Sequence, residues 1–194
     1  MTAIEELLYS FIPTDNRELI EALGNISEVH TYKRKEHIYK IGDVQSKVYL
    51  LLDGILRCYV IDNTRTDLTD SFMTGRWMAI NSVDFFIEGN KIPSFVGMEA
   101  LTESNILEIE AEPLLEILKQ WPDLTRLYAY CLQQALKFQN EINYKRLYLS
   151  GKERYQWFHE RWPEVDKIAS NRQIATFLGI RSEYLSRLRH PKKK

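Results

Sequence analysis

The period of apolar and polar positions changes twice along this chain. Residues 3–25 read as helical. Thr14 or Asp15 can cap a helix there, and Asp15 with Glu18 has capping-box spacing. Leu19, Ile20 and Leu23 then form one apolar face. After Gly24, strand formers take over: Val29, Thr31 and Tyr32, then Ile38–Ile41 and a Gly42-Asp43 turn. In VYLLLDGILRCYVID (48–62), two apolar runs flank Asp53-Gly54, a pair that predicts a tight hairpin. Val48, Leu50 and Leu52 alternate with Tyr49 and Leu51; Leu56, Cys58 and Val60 alternate with Arg57, Tyr59 and Ile61. Further strands are expected at 66–73, 77–80, 94–100 and 104–110. Short strands at even spacing predict an antiparallel sandwich or barrel.

From Glu112 the period is helical again. Pro113 suits a first helical turn, and Pro122 ends that helix and can open the next. Residues 123–149 contain no Gly or Pro, and about 27 residues of helix run roughly 40 Å. Leu124, Tyr128, Cys131, Ala135, Phe138, Ile142, Lys145 and Leu149 form an a/d seam broken only at Lys145. This seam is read as a homodimer interface. A second stripe, Leu127, Leu132 and Leu136, is read as packing on its own domain. Ser150-Gly151 breaks the helix, and a small helical module follows. The expected organisation is a β domain over 1–121, a long helix over 122–149 and a helical domain over 150–194.

Charge sharpens this division. The chain of 194 residues carries a formal net charge of −1. Residues 137–194 hold 14 basic and 6 acidic residues, and residues 1–136 hold 12 basic and 21 acidic. The basic half is therefore the candidate for polyanion contact. No run of about 18 apolar residues predicts a membrane span. The N-terminus lacks the basic region of a signal peptide, so a cytoplasmic location is expected. Cys58 and Cys131 cannot supply a four-thiolate iron–sulfur or zinc site. The four histidines, 30, 37, 159 and 190, are scattered. With no nucleophile signature, Walker loop or dinucleotide fingerprint present, no enzymatic reading arises.

The most specific motif is NRQIATFLGIRSEYLSRLRH (171–190). A helix-turn-helix needs a small residue where its helices cross, and Ala175 is there. It needs a residue tolerant of left-handed backbone four positions later, and Gly179 is there. Ile174, Leu178, Ile180, Leu185 and Leu188 supply the apolar contacts. Ser170 can cap the first helix and Ser182 the second. Ser182, Glu183, Ser186, Arg187 and Arg189 are then presented to a major groove, with Arg172, Arg181 and Lys192–Lys194 adding positive charge.

With these residues the chain resembles the Crp/Fnr family of bacterial transcription regulators. In the β domain the resemblance rests on EHIYKIGD (36–43), VYLLLDGILRCYV (48–60) and EALTESNILEIEAEPLLEIL (99–118). In the helical domain it rests on QIATFLGIRSEYLSRLR (173–189). It implies an α+β fold: a jelly-roll-like cyclic-nucleotide-binding-type β-roll, a long dimerisation helix and a C-terminal helix-turn-helix. It also implies a homodimer whose partners are double-stranded DNA, RNA polymerase and a small-molecule effector, with Ser182, Glu183 and Arg187 as base readers. The family's cyclic-nucleotide cassette, a Gly-Glu turn followed by Arg-Ser or Arg-Thr, has no match in GRWMAINSVDFFIEGNKIPSFVGMEALTE (75–103). Pro93-Ser94-Phe95 stands at the phosphate position without an Arg, so cyclic AMP and cyclic GMP are not expected ligands and no cofactor is assigned. An altered effector pocket would draw on Arg76, Trp77, Asn81, Phe85 and Ser94. The competing reading is a small-molecule-binding β-roll that does not bind DNA.

Overall fold

The computed structural model describes residues 1–12, 16–76, 78–80 and 92–190. The N-terminal stretch forms two helices, α1 (Ala3–Phe11) and α2 (Arg17–Asn25). Thr2 closes a capping box on α1. The cap of α2 is Asn16, whose side chain accepts from the Leu19 amide, rather than Thr14 or Asp15; those two lie outside the described residues.

Eight strands follow among the described residues: β1 (Ser27–Tyr32), β2 (His37–Tyr39), β3 (Lys47–Asp53), β4 (Ile55–Ile61), β5 (Asp67–Thr74), β6 (Met78–Ile80), β7 (Gly97–Ala100) and β8 (Ser104–Glu110). They form two four-stranded antiparallel sheets, ordered β1-β8-β3-β6 and β2-β7-β4-β5. The hairpin expected at Asp53-Gly54 does not exist. β3 pairs with β6 and β8, whereas β4 pairs with β5 and β7. The chain passes from one sheet to the other through the single residue Gly54, which has φ 109°. A Cβ there would lie 2.2 Å from Ser104 Oγ, so only glycine makes this crossing without strain. The hairpin lies one strand later, between β4 and β5.

Both faces of β3, inside the first sheet, are buried. Tyr49 and Leu51 of β3 face the second sheet, in a cluster with Tyr39, Leu56, Met98 and Ile106. Leu50 and Leu52 point the other way, into a cluster with Leu8, Leu19, Leu23 and Ile117. Ile117 belongs to α3 (Ala111–Gln120), which follows β8. This two-sided burial accounts for an unbroken apolar run where a half-exposed strand would alternate.

Helix α4 (Pro122–Tyr148) opens on Pro122. It is followed by α5 (Gly151–Arg161), α6 (Pro163–Ile168), α7 (Asn171–Leu178) and α8 (Ser182–Arg189). These helices close over the outer face of the second sheet. Phe72 of β5 is fully buried and lies 5.3 Å from the Phe177 ring and 5.8 Å from the Phe158 ring. Thr69 of β5 donates its amide to Thr176 Oγ1 at 3.0 Å. Among the described residues, no helix is long and apolar enough to cross a membrane.

Candidate nucleic-acid interface

Helices α7 and α8 are built by local signals. The Ser170 hydroxyl accepts from the Gln173 amide at 3.2 Å, and the Gln173 side chain accepts from the Ser170 amide at 2.9 Å. This capping box fixes the start of α7. Gly179 ends it in left-handed backbone, φ 63° and ψ 41°, and the Ile180 amide then donates to the Ala175 carbonyl at 3.0 Å. That reversal aims α8 across α7. Ala175 is buried at the crossing, and Ile174, Phe177, Leu178 and Leu185 join Phe158, Trp162 and Val165 in one core. The cap of α8 is Arg181, without a side-chain cap bond, so Ser182 does not cap it.

The free side of α8 presents Arg181, Glu183 and Arg187, all exposed; Ser182 and Ser186 are half-buried at its edge. The Arg187 guanidinium lies over the Tyr184 ring, 5.7 Å from its centroid, which limits its rotamers while leaving its N–H fork open. Arg189, expected to reach DNA, is turned inward. It donates to the Asp166 carbonyl at 2.6 Å, to the Asp166 carboxylate and to Asn171. Asp166 also meets His159 Nδ1 at 2.7 Å and the Tyr155 hydroxyl at 3.1 Å. Burial raises the Asp166 pKa, but bonds from Arg189, His159 and Tyr155 outweigh it and hold the carboxyl below its ordinary value. Arg189 thus locks the end of α8 to α6 and the start of α7.

Sequence reasoning missed two other arginines. Arg146 Nε donates to the Phe177 carbonyl at 2.8 Å and its Nη2 to the Asp70 carbonyl at 2.7 Å. Arg154 Nη1 donates to the Leu178 carbonyl at 2.5 Å. The last carbonyls of a helix have no partner within it, so these cations close the C-terminal end of α7. Their signal was their proximity to a helix end, and only the fold supplies that. Arg172 is exposed in the first turn of α7, beside a cleft facing the β-roll.

The long helix divides its faces differently from the sequence expectation. Leu124, from the predicted dimer seam, is buried against the first sheet's helical cover. Ile142 is fully buried among the helices that follow, and Phe138 packs edge-on against Trp162 at 5.9 Å. Tyr128, Cys131 and Leu149 are half-buried, and Ala135 is exposed. Of the second stripe, expected to pack inward, Leu127 is half-buried, but Leu132 is 40% and Leu136 64% exposed. The reason is that α4 bridges two units, and the face bearing Leu124, Phe138 and Ile142 packs on both. Thr125, Ala129, Leu132, Leu136, Gln139 and Asn143, all exposed, form another 4-3 series about a quarter-turn away.

Of the residues expected around an effector, Trp77, Asn81 and Phe85 lie outside the described residues. Arg76 pairs with Glu6 of α1 and donates to the Leu52 carbonyl at 3.4 Å. The Ser94 hydroxyl donates to the Val96 carbonyl at 2.8 Å inside its own turn. Both are therefore engaged in holding the fold. Burial pushes the Cys58 thiol up to about 12. Among the described residues, no cluster of three His, Cys, Asp or Glu could hold a metal.

Residues 29–120 match the cyclic nucleotide-binding domain family. The chain is similar in structure to FixK2 from Bradyrhizobium japonicum, with a TM-score of 0.69 and 16% identity over 84% of this chain and 82% of that one. It is similar to CLP, the c-di-GMP responsive global regulator of Xanthomonas campestris, with a TM-score of 0.69 and 16% identity over 89% of each chain. It is also similar to a protein from Eubacterium rectale described as a regulator of the crp/fnr family, with a TM-score of 0.70 and 15% identity over 93% of this chain and 83% of that one. No curated protein sequence gives a significant match. Residues 29–120 thus match the cyclic nucleotide-binding domain family, and the chain with its C-terminal helices shares the fold of these solved structures.

Proposed function

We propose that this chain is a sequence-specific DNA-binding transcriptional regulator that acts as a homodimer. One observation carries the reading: α7 and α8 join through the left-handed Gly179 turn as a helix-turn-helix, and the free side of α8 holds Arg181, Glu183 and Arg187, none of them in an ion pair among the described residues. An arginine fork pairs with guanine N7 and O6, and a carboxylate accepts from a cytosine amino group. Glu183 repels phosphate, so it contributes specificity more than affinity. The exposed 4-3 series on α4 supports pairing with a second copy. Its leucines suit a helix–helix seam, and polar Gln139 and Asn143 would set register at some cost in stability. Two-fold symmetry would place two α8 helices in successive major grooves, with half-site centres about 10 base pairs apart.

The β-roll then serves as the sensor of an effector other than cyclic AMP or cyclic GMP. An anionic cyclic phosphate buried in a roll needs a cation, and the position that supplies it in the resembling family is Pro93-Ser94-Phe95 here. Genome-wide footprinting of bound fragments, followed by titration of the recovered site and a scrambled duplex at two salt concentrations, tests the regulator reading. The expected result is a near-palindromic site bound more tightly than the scrambled duplex at both salts. Failure to retain any genomic fragment sinks it.

A further inference from the structure

A cleft of about 270 Å³ opens between the β4–β5 turn and the first turn of α7, lined by Arg57, Arg65, Asp67, Ser170, Arg172 and Gln173. Its floor is Arg57, 3% exposed. Arg57 Nε donates to Thr69 Oγ1 at 2.7 Å, and its Nη1 donates to Glu99 at 2.7 Å and to Asp67 at 3.2 Å. Glu99 also accepts from Gln173 Nε2 at 3.3 Å, so the floor spans from the roll to α7. Its charge is already met by two carboxylates.

The two arginines at the lips differ. Arg65 and Arg172 are exposed, and the side chain of neither has an ion pair or hydrogen bond among the described residues. Arg65 adopts left-handed backbone with φ 60°, which a side chain with a Cβ disfavours. The turn imposes it. The Asp62 carboxylate accepts from the Thr64 and Thr66 amides, each at 2.8 Å, and the Arg65 amide donates to the Asp62 carbonyl at 2.9 Å. A braced turn thus holds one cation on the rim. The other cation stands opposite on the first turn of α7, where the helix dipole also favours an anion.

We propose that this cleft binds a small phosphate-bearing anion, gripped by Arg65 from the roll and Arg172 from α7. Guanidinium groups bind phosphate oxygens through paired, charge-assisted hydrogen bonds. The Ser170 hydroxyl, which accepts from the Gln173 amide, has its own hydrogen to donate beside them. Asp67, already paired with Arg57, lines one wall and sets the bound anion towards the two open guanidiniums. The anion touches both units, so its binding favours the docked arrangement of α7 on β5. The site is independent of whether α8 reads DNA.

Calorimetry and thermal melts of the full chain at constant ionic strength test this, with inorganic phosphate and pyrophosphate as probes and chloride as the control. Saturable heat and a raised melting temperature are expected with pyrophosphate, less with phosphate, and neither with chloride. Arg65→Asn and Arg172→Gln should each weaken pyrophosphate about tenfold or more. Asn tolerates left-handed backbone and Arg172 is exposed, so both variants should fold. The proposal is overturned if neither anion gives saturable heat, or if both variants bind as the parent does. It is equally overturned if the variants weaken only duplex DNA, because the two arginines would then serve the nucleic-acid backbone.

Discussion

The β-roll and the C-terminal helices solve the same problem, the burial of polar backbone, at different ranges. In the helices the solution is local. Ser150 and Ser170 each close a capping box three residues ahead, and Gly179 reverses the chain within one turn. In the roll, apart from the β4–β5 hairpin, strands find their partners at a distance: β1 pairs with β8, and β3 pairs with β8 and β6. Yet the two regions share a seam. Phe72 of β5 sits in the same cluster as Phe158, Trp162 and Phe177. The difference teaches that the helical unit specifies its own shape, while its placement depends on the outer face of a sheet assembled from distant segments.

The largest test of that comparison is Phe177→Ala. The side chain is 1% exposed and contacts Phe72, Phe158, Trp157 and Trp162. Truncating a buried Phe costs about 3–5 kcal/mol. Urea unfolding followed at the tryptophans and by far-ultraviolet dichroism should give one shared transition, shifted to lower urea. Separate transitions for helices and sheets would mean that the seam does not couple them.

Next in size is a pair of substitutions on α4. Leu136→Glu lies on the exposed face and Ile142→Glu in the buried one. Sedimentation should show Leu136→Glu as a folded monomer. Ile142→Glu should lose several kcal/mol of stability, because an unpaired charge would be buried. If Leu136→Glu remains a dimer, the exposed series is not the seam.

These two regions were unequally legible. The Ser170 cap, the Ala175 crossing and the Gly179 turn were readable because each depends on residues within a few positions. The strand positions were readable as well, but their pairing was not. Asp53-Gly54 carries a hairpin signature, yet it marks a change of sheet, because the controlling contact is Ser104, fifty positions away. Which stripe of α4 packs within the protomer was not legible for a related reason. Both of its apolar stripes have helical spacing, and only the packing of Leu124 on one unit and Ile142 on the other decides which faces inward. Arg189 looked like a surface charge because its partner Asp166 is distant along the chain and belongs to another helix.

A smaller effect separates Arg187 from Arg189, both of which the sequence places on the DNA-facing side of the second helix. Arg187→Ala should cost about 1–3 kcal/mol of discrimination at one base pair of each half-site and leave urea stability unchanged. Arg189→Ala should instead lower stability by about 1–3 kcal/mol, because Asp166 loses a charged partner. Binding titrations on matched and single-mismatch duplexes, with urea melts of the same proteins, make the distinction. Equal loss on all duplexes for Arg187→Ala would make it a phosphate contact.

The smallest expected effect is on pH dependence, and it probes the helical unit alone. The Asp166 side chain is 9% exposed and faces Arg189 of α8 and His159 and Tyr155 of α5. Burial raises its pKa, but the bonds from those three groups win, so the folded value lies below the ordinary 3.8. A carboxyl whose pKa is lower in the folded state binds its proton more tightly when unfolded. Its stabilising contribution is therefore complete above the ordinary value and is lost as pH falls through the folded one. Urea midpoints of the parent should drop over this acid range by more than those of Asp166→Asn, which has no proton to gain. The variant should be less stable at neutral pH, and the two curves should converge as acid is added. Curves that stay parallel would show that Asp166 holds Arg189 by geometry without a linked proton.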